Sequence, residues 1–392
     1  MAESYPDPPA DHPSITAATL YDHLEAGGPV RLVDVRDRDE FERWHIDGPS
    51  VTATQVPFTK VLQAKVTGDI DGLLDGIPGE GAITAVCARG EASAFLAGLL
   101  TDHGVTARNL ADGMEGWARL YHARELPCED ATVSVLQYDR PATGCLSYLV
   151  VSDGEAAVVD PLRAFTDRYV ADAADRDATP RYAVDTHIHA DHLSGRRRLA
   201  SDHGVEGVLP ARAAERGVTG PVTKLADDDC LAIGSTKLDP LPLPGHTTGM
   251  TGFRVGGVLL AGDSVFLDSV ARPDLETDAD GTRELARALY ETLTERLDGL
   301  PDETLLAPGH YADASERADD GSYSAALGSV LNRLPAVQLD RESFVERICA
   351  DIPPRPANVE RIVAVNLGTE TVDEDTAFEL ELGPNNCAAA PL

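Results

Sequence analysis

The sequence predicts a mixed α/β chain of two domains, an N-terminal α/β unit with a parallel sheet followed by a larger αβ/βα sandwich. Its 392 residues exceed one ordinary domain of about 100–200 residues. Short apolar runs alternate with helical patterns before a polar, proline-containing connector at residues 124–131. Strands that look antiparallel follow the connector and mix with helices, which is typical of a second layered domain.

Local patterns predict each element of the first domain. Ser14 or Thr16 can cap a helix that runs to about residue 26, and Gly27 ends it. Apolar runs predict buried strands and one apolar helix, at residues 30–35, 82–86 and 105–110 for the strands and 92–100 for the helix. Strands that alternate with helices in this way form a parallel sheet.

The second domain mixes strands and helices throughout. Apolar runs predict strands at residues 132–137, 146–151, 156–159, 182–186, 236–241, 252–254, 258–261 and 304–306. Helices are predicted at residues 163–174, 194–202, 282–297 and 323–333. We expect domains at residues 1–126 and 127–392, the second with a core at 131–312 and a C-terminal extension at 313–392 that contains a strand-like segment at 361–365.

Composition and charge restrict the class of protein. Charged residues make up 25% and apolar residues 43%, which is typical of globular chains. No apolar run approaches the roughly 18 residues of a membrane-spanning helix. The first residues lack the basic and apolar regions of a secretory signal, so we expect a cytoplasmic protein.

Acidic residues dominate the charge. Sixty-six acidic residues against 33 basic ones give a net charge of −33, which repels nucleic acid and anionic membranes. The basic residues comprise only four lysines against 29 arginines. Because concentrated salt screens such self-repulsion, the composition predicts a halophilic cytoplasm.

Histidines and carboxylates are concentrated in a few short segments. Asp185, His187, His189, Asp191 and His192 fall within eight residues that follow a predicted strand. Three further segments, Pro244-Gly245-His246, Gly262-Asp263 and Pro308-Gly309-His310, also follow predicted strands. So many ionisable groups cannot all be buried without a cation or strong partners, so the pattern predicts a metal centre.

These motifs resemble the metallo-β-lactamase superfamily over about residues 131–312. The segments THIHADHLSG, PGHTTG, AGDSVF and SVARPDLE further resemble its persulfide dioxygenase branch. That resemblance implies one Fe(II) per chain held by His187, His246 and Asp263, a facial triad that leaves positions open for substrate and O₂. It implies that His189, Asp191, His192, His310 and Asp185, with Asp160, orient the ligands or relay protons. Arg272 would hold the SVARPDLE loop in place beside the iron or bind an anionic substrate.

A glyoxalase-II-like thioester hydrolase with two Zn(II) ions is the alternative that motif spacing leaves open. The ligands would then be seven motif residues, with Asp263 bridging the ions and a metal-bound hydroxide as nucleophile: His187, His189, Asp191, His192, His246, Asp263 and His310.

A second reactive group is expected in the first domain. Cys87 begins the loop CARGEAS between a buried strand and a helix, where backbone N–H groups and the helix dipole stabilise a thiolate or persulfide. The other cysteines, at 128, 145, 230, 349 and 387, form no C-x-x-C motif and are expected to be thiols. No sequence motif assigns a role to Cys128 or Cys387.

With LVDVR, EFERWHIDG and DGMEGW, this loop resembles the rhodanese domain over about residues 14–126. The resemblance implies a three-layer α/β/α fold and a Cys87 persulfide. Two positions depart from the pattern, because Ala92 replaces an arginine and Trp44 replaces a glycine. Arg89 is then the cation expected to assist Cys87.

Together the two resemblances imply a persulfide dioxygenase coupled to a sulfurtransferase. The substrates would be O₂ and a persulfide of glutathione, γ-glutamylcysteine or coenzyme A, and the products sulfite or thiosulfate. A non-oxidative sulfur-relay protein is the third hypothesis. The sequence leaves homodimer formation open.

Overall fold

The structure is a computed structural model that describes residues 12–312, 315–350, 352–383 and 387–389. The chain folds as two compact units that divide between Tyr121 and His122, with Arg140–Ala142 grouped with the first unit. In the described part of the chain, no helix combines the length and the hydrophobicity needed to cross a membrane.

The first unit is built on a five-stranded parallel sheet in the order β1-β5-β4-β2-β3. Its strands are β1 (Ser14–Ile15), β2 (Val30–Asp34), β3 (Val51–Gln55), β4 (Ile83–Val86) and β5 (Ala107–Leu110). Its helices are α1 (Ala17–Glu25), α2 (Arg38–Arg43), α3 (Phe58–Thr67), α4 (Ile70–Leu74), α5 (Glu91–Asp102) and α6 (Gly113–Ala118). The predicted parallel α/β unit is confirmed, and Thr16 caps α1 by accepting a hydrogen bond from the Thr19 amide.

Two sheets form the second unit. The seven-stranded sheet has the order β12-β11-β10-β9-β8-β7-β6, and the six-stranded sheet has the order β13-β14-β15-β16-β17-β18. The strands of the larger sheet are β6 (His122–Leu126), β7 (Ser134–Arg140), β8 (Cys145–Ser152), β9 (Glu155–Val159), β10 (Thr179–Val184), β11 (Glu206–Pro210) and β12 (Thr223–Leu225). Those of the smaller sheet are β13 (Leu231–Ile233), β14 (Thr236–Pro242), β15 (Thr251–Val255), β16 (Val258–Gly262), β17 (Leu305–Pro308) and β18 (Ala325–Ala326).

Helices lie between and after these strands. They are α7 (Thr166–Ala174), α8 (Arg196–His203), α9 (Ala211–Ala214), α10 (Ala279–Glu291), α11 (Leu327–Arg333), α12 (Arg341–Ala350), α13 (Val359–Leu367) and α14 (Glu374–Leu380). One hydrophobic core contains residues from both sheets, such as Val150 and Val184 from the larger and Phe253 and Leu260 from the smaller. Two sheets that share one core in this way form the predicted αβ/βα sandwich, which is therefore confirmed.

Two local predictions differ from the structure. The start of the expected connector is part of β6, where Arg124 pairs with Gln137 of β7, so residues 122–126 belong to the second unit rather than the first. The strand expected at residues 361–365 lies within α13, because Ile362 and Val365 are spaced to face one side of a helix and are both buried.

Candidate functional site

Strands of both sheets end at the candidate metal centre. The His187 segment follows β10 of the larger sheet, whereas His246, Asp263 and His310 follow β14, β16 and β17 of the smaller one. Since β16 and β17 are parallel neighbours with Gly262 opposite Pro308, Asp263 and His310 emerge side by side. The sandwich thus brings together side chains that are far apart in sequence.

His187, His246 and Asp263 form a buried triad. Their ligand atoms lie within 4.8 Å of one another, and each side chain is at most 1% exposed. Asp263 Oδ2 lies 3.9 Å from His187 Nε2 and 3.7 Å from His246 Nε2. None of these three atoms has a hydrogen-bond partner among the described residues, although all are buried. Burying three polar atoms without partners is costly, so their convergence points to a cation.

Hydrogen bonds orient both triad imidazoles. His246 Nδ1 donates to the Arg272 carbonyl at 2.8 Å, which leaves the Nε2 lone pair facing the centre. Thr186 Oγ1 donates its single proton to Asp160 Oδ2 at 3.0 Å and therefore accepts from His187 Nδ1 at 2.9 Å. Each imidazole thus presents a lone pair rather than a proton.

The charges of the triad suit a metal ion. Burial lowers the pKa of His187 well below its usual value, helped by neighbouring His189, and burial also lowers the pKa of His246. Burial opposes ionisation of Asp263, but His310 is the main group that holds its pKa below the usual range. Two neutral imidazoles and one carboxylate are the donor set that Fe(II) and Zn(II) accept, so the residues fit a metal.

His189 and Asp185 belong to a buried group other than the triad, although the His189 ring lies 4.3 Å from the His187 ring. His189 Nε2 bonds Asp160 Oδ1 at 2.9 Å, and His189, Asp160 and Asp185 form a separate buried group. Asp160 has a left-handed backbone with φ of 52°, which is strained for a non-glycine residue. This conformation turns its carboxylate toward the loop between β10 and α8 (residues 185–195), which we call the motif loop.

Asp185 is instead the partner of an arginine. Arg196 Nε donates to Asp185 Oδ2 at 2.9 Å, and Ser194 Oγ donates to Asp185 Oδ1 at 2.6 Å. Arg196 is 1% exposed and Asp185 is 2% exposed. No motif in the sequence pointed to Arg196, although it stands four residues after His192.

A second buried group lies beside the triad and comprises Cys145, Asp191, His192 and His310. His310 Nδ1 bonds Asp263 Oδ1 at 2.7 Å, and His310 Nε2 bonds Asp191 Oδ2 at 2.8 Å. Because both partners are carboxylates, His310 donates from both nitrogens and is an imidazolium here. Burial opposes this charge, but Asp263 and Asp191 raise the pKa of His310 well above its usual value. Cys145 entered the sequence analysis only as a thiol.

Arg272 anchors the loop that positions His246. Its guanidinium donates to Asp274 at 2.7 and 3.0 Å and to the carbonyls of Pro353 and Pro354. Its side chain is 1% exposed. Of the two expected roles, this geometry favours pinning the loop over binding an anionic substrate.

The C-terminal extension also holds the motif loop. Asn366 Nδ2 donates to the carbonyls of His189 and His192, both at 2.9 Å, and its Oδ1 accepts from the Ser194 amide. Glu381 Oε1 accepts from the Leu193 amide at 2.8 Å. No motif in the sequence pointed to Asn366 or Glu381, because a positioning role depends on tertiary contact alone.

Cys87 lies at the end of β4 in the first unit and is 5% exposed. Its Sγ accepts hydrogen bonds from the Gly90 amide and the Ser93 hydroxyl, both at 3.0 Å. Gly90 has a φ of 99°, which directs its amide toward the sulfur before α5 begins. The loop therefore places two hydrogen-bond donors around the sulfur, an arrangement that can stabilise a sulfur anion.

Arg89 lies at the surface of the first unit. Its side chain is 67% exposed and pairs with Glu115 at 3.3 Å. In the structure the groups that contact Cys87 Sγ are thus Gly90 and Ser93, and the expected assistance from Arg89 is not among these contacts.

Two family models match the chain. Residues 16–120 match the Rhodanese-like domain, and residues 140–310 match the metallo-beta-lactamase superfamily. The human protein "Persulfide dioxygenase ETHE1, mitochondrial" is 25% identical over 245 residues, which cover 60% of this chain and 89% of that protein. The structure of ETHE1 from Myxococcus xanthus superposes with a TM-score of 0.52 at 25% identity, covering 59% of this chain and 97% of that one.

A hydrolase is also similar. The "Hydroxyacylglutathione hydrolase" of Anaeromyxobacter dehalogenans is 36% identical over 120 residues, which cover 31% of this chain and only 46% of the hydrolase. The chain therefore combines a Rhodanese-like domain with a domain of the metallo-beta-lactamase superfamily, as its sequence motifs predicted.

Proposed function

We propose that the second unit is a non-haem iron persulfide dioxygenase and that the first unit is a sulfurtransferase with Cys87 as the sulfur carrier. The observation that carries the proposal is the separate triad of His187, His246 and Asp263, whose three inward atoms have no partner within the described residues. His189, which a two-zinc site would also need, bonds Asp160 through Nε2, and its Nδ1 is a further buried atom without a partner among the described residues. Two imidazoles and one carboxylate form the facial triad of Fe(II) oxygenases.

The proposed reaction is RSSH + O₂ + H₂O → RSH + SO₃²⁻ + 2H⁺. A ferrous ion held by His187, His246 and Asp263 would supply the activation of dioxygen. The His310 imidazolium bonds Asp263 Oδ1 and so keeps Oδ2 facing the centre. Phe266 and Ala190, which are buried beside the centre, exclude water from it.

The substrate is proposed to be a small thiol persulfide of the glutathione, γ-glutamylcysteine or coenzyme A type. A narrow cleft of about 10 Å³ between the motif loop and the C-terminal extension has room for roughly one water molecule and reaches Asp191, and it is also lined by Thr143, Pro356 and Leu382. The similarity to both a persulfide dioxygenase and a hydroxyacylglutathione hydrolase supports a thiol-based substrate.

The sulfurtransferase role rests on the Cys87 loop. A persulfide anion on Cys87 would keep the hydrogen bonds that Gly90 N–H and Ser93 Oγ now donate to the sulfur. Cys87 could load persulfide onto a thiol or pass sulfane sulfur to sulfite, which would give thiosulfate.

The test combines metal analysis with oxygen consumption. We expect protein purified without oxygen to contain one iron per chain and to release sulfite as it consumes O₂ with one of the three persulfides in molar KCl. His246→Ala should abolish oxygen uptake, whereas Cys87→Ser should remove thiosulfate-dependent transfer and leave uptake largely intact. Oxygen uptake lost in Cys87→Ser would mean that substrate must arrive through Cys87.

A dizinc thioester hydrolase is the second candidate. The buried group of Asp191, His192 and His310 beside Asp263 favours it, since Asp191 Oδ1 and His192 Nε2 also lack partners among the described residues. Two zinc ions per chain and cleavage of an acyl-glutathione without oxygen uptake would support the hydrolase and contradict the dioxygenase.

A further inference from the structure

A short part of the C-terminal extension adds to the loop that positions His246. Ala388 forms an antiparallel bridge with Ala271, and the Ala389 amide donates to the Val270 carbonyl at 2.8 Å. The Arg272 amide donates to the Cys387 carbonyl at 3.1 Å. Since the Arg272 carbonyl in turn accepts from His246, the backbone of Cys387 is held beside the metal centre.

The Cys387 side chain lies at the Asp263–His310 side of that centre. Its Sγ lies within 4.8 Å of a carboxylate oxygen of Asp263 and a ring nitrogen of His310, and all three residues are buried. Cys387 is 1% exposed. It packs with Ala190, Phe266 and Ala271, which close the site to solvent on this side.

A second observation points to a ligand at the same place. Asp263 Oδ2 is buried and lacks a hydrogen-bond partner among the described residues. A cation bound by Asp263 would thus have a thiol within a few ångströms, and thiolate binds Fe(II), Co(II) and Zn(II) well, with bonds of about 2.3 Å for zinc. Cys145 is the other buried thiol of the region, but its Sγ contacts Asp191 Oδ2 at 3.5 Å rather than Asp263.

We propose that Cys387 is a sulfur donor to the metal centre, supplied by the C-terminal extension on the Asp263–His310 side. The extension then completes the metal site as well as covering it. A substrate sulfur would meet a site in which a protein sulfur already occupies or borders one ligand position. The proposal rests on the metal centre proposed above, but it does not depend on the reaction with oxygen.

Cobalt spectroscopy tests the proposal. Co(II) bound to a thiolate has a sulfur-to-cobalt charge-transfer band in the near ultraviolet, which Co(II) bound only by nitrogen and oxygen lacks. We expect the full-length protein with one equivalent of Co(II) to show the band and Cys387→Ser to lose it while still binding cobalt. Cys145→Ser should keep the band, and so should the control Cys349→Ser, a half-buried thiol of the hydrophobic core.

Each other result contradicts the proposal. No band in the wild-type protein, or a band that persists in Cys387→Ser, would show that Cys387 is not a ligand. Loss of the charge-transfer band in Cys145→Ser would identify Cys145 as the sulfur ligand. This measurement can still contradict the proposal if Cys387→Ser fails to fold. Because cobalt absorption requires no turnover, the proposed oxygen chemistry can fail while Cys387 ligation stands.

Discussion

Replacing Arg196 by methionine tests whether Asp185 is a structural anion or a metal ligand. Arg196 and Asp185 are 1% and 2% exposed, and the guanidinium bonds Asp185 Oδ2 at 2.9 Å. Without the guanidinium, Asp185 retains the hydrogen bond from Ser194, and Arg197, which is partly buried, is a nearby cation that does not replace the direct ion pair. An uncompensated buried charge of this kind costs about 3–5 kcal/mol, which lowers the folding equilibrium constant by roughly 10²- to 10⁴-fold.

The assay is chemical unfolding in molar KCl, followed by circular dichroism. Tryptophan fluorescence would report only the first unit, because Trp44 and Trp117 are the two tryptophans of the chain and both lie there. Arg198→Met is the matched control, since Arg198 belongs to the same helix but its ion pairs with Glu374 and Asp202 are partly exposed, so we expect a change below about 1 kcal/mol.

A double variant shows whether the stability depends on the ion pair itself or on avoiding one unpaired buried charge. Asp185→Leu combined with Arg196→Met replaces the ion pair by apolar side chains, so it should regain most of the stability that Arg196→Met loses. The reasoning is refuted if Arg196→Met unfolds like the wild type. It is also refuted if Asp185→Asn leaves stability unchanged but reduces the number of bound metal ions, because Asp185 would then be a ligand.

Four further predictions concern the centre and the surface. Gly309→Ala should reduce metal content, because its Cβ would lie 2.4 Å from Asp263 Oδ1, whereas the control Gly76→Ala meets nothing closer than 3.6 Å. Asn366→Ala should weaken metal binding by about 10- to 100-fold in a competition titration, as is typical when a group that orients ligands is lost. Metal-free protein should lose stability as pH rises through the raised pKa values of His310 and His192, because their stabilising charges are fully present only below the usual histidine pKa, and His310→Gln should reduce that dependence. The melting temperature should rise with KCl, since a net charge of −33 repels itself, and full stability in about 0.1 M salt would contradict this expectation.

Much of the fold could be predicted from the sequence, because its signals are local. The apolar run of β4 and the cap at Thr16 needed only neighbouring residues. The strand prediction for residues 361–365 was wrong because its branched apolar residues favour a strand locally. Ile362 and Val365 instead pack with Leu193, Ala377 and Leu380, and this burial selects a helix. Tertiary packing decided between the two.

In the candidate site, only the residues that belong to sequence motifs could be predicted. His187, His246 and Asp263 follow strands and carry the family pattern, so they could be singled out before the structure placed them together. Partners without a motif could not be found, because the link between Asn366 and His192 spans 174 residues. The same holds for Cys387, whose position depends on a short backbone bridge.

The three hydrogen bonds between Asn366 and the motif loop have a practical consequence for the design of truncated fragments. A fragment trimmed to the 140–310 match would keep every triad residue. The carbonyls of His189 and His192 and the amide of Ser194 would, however, lose their hydrogen bonds to Asn366. Such a minimal domain would retain its chelating side chains on a loosened scaffold, and its weak metal retention would be an artefact of trimming. Cloning boundaries for this architecture therefore need to run well past the conventional limits of the fold.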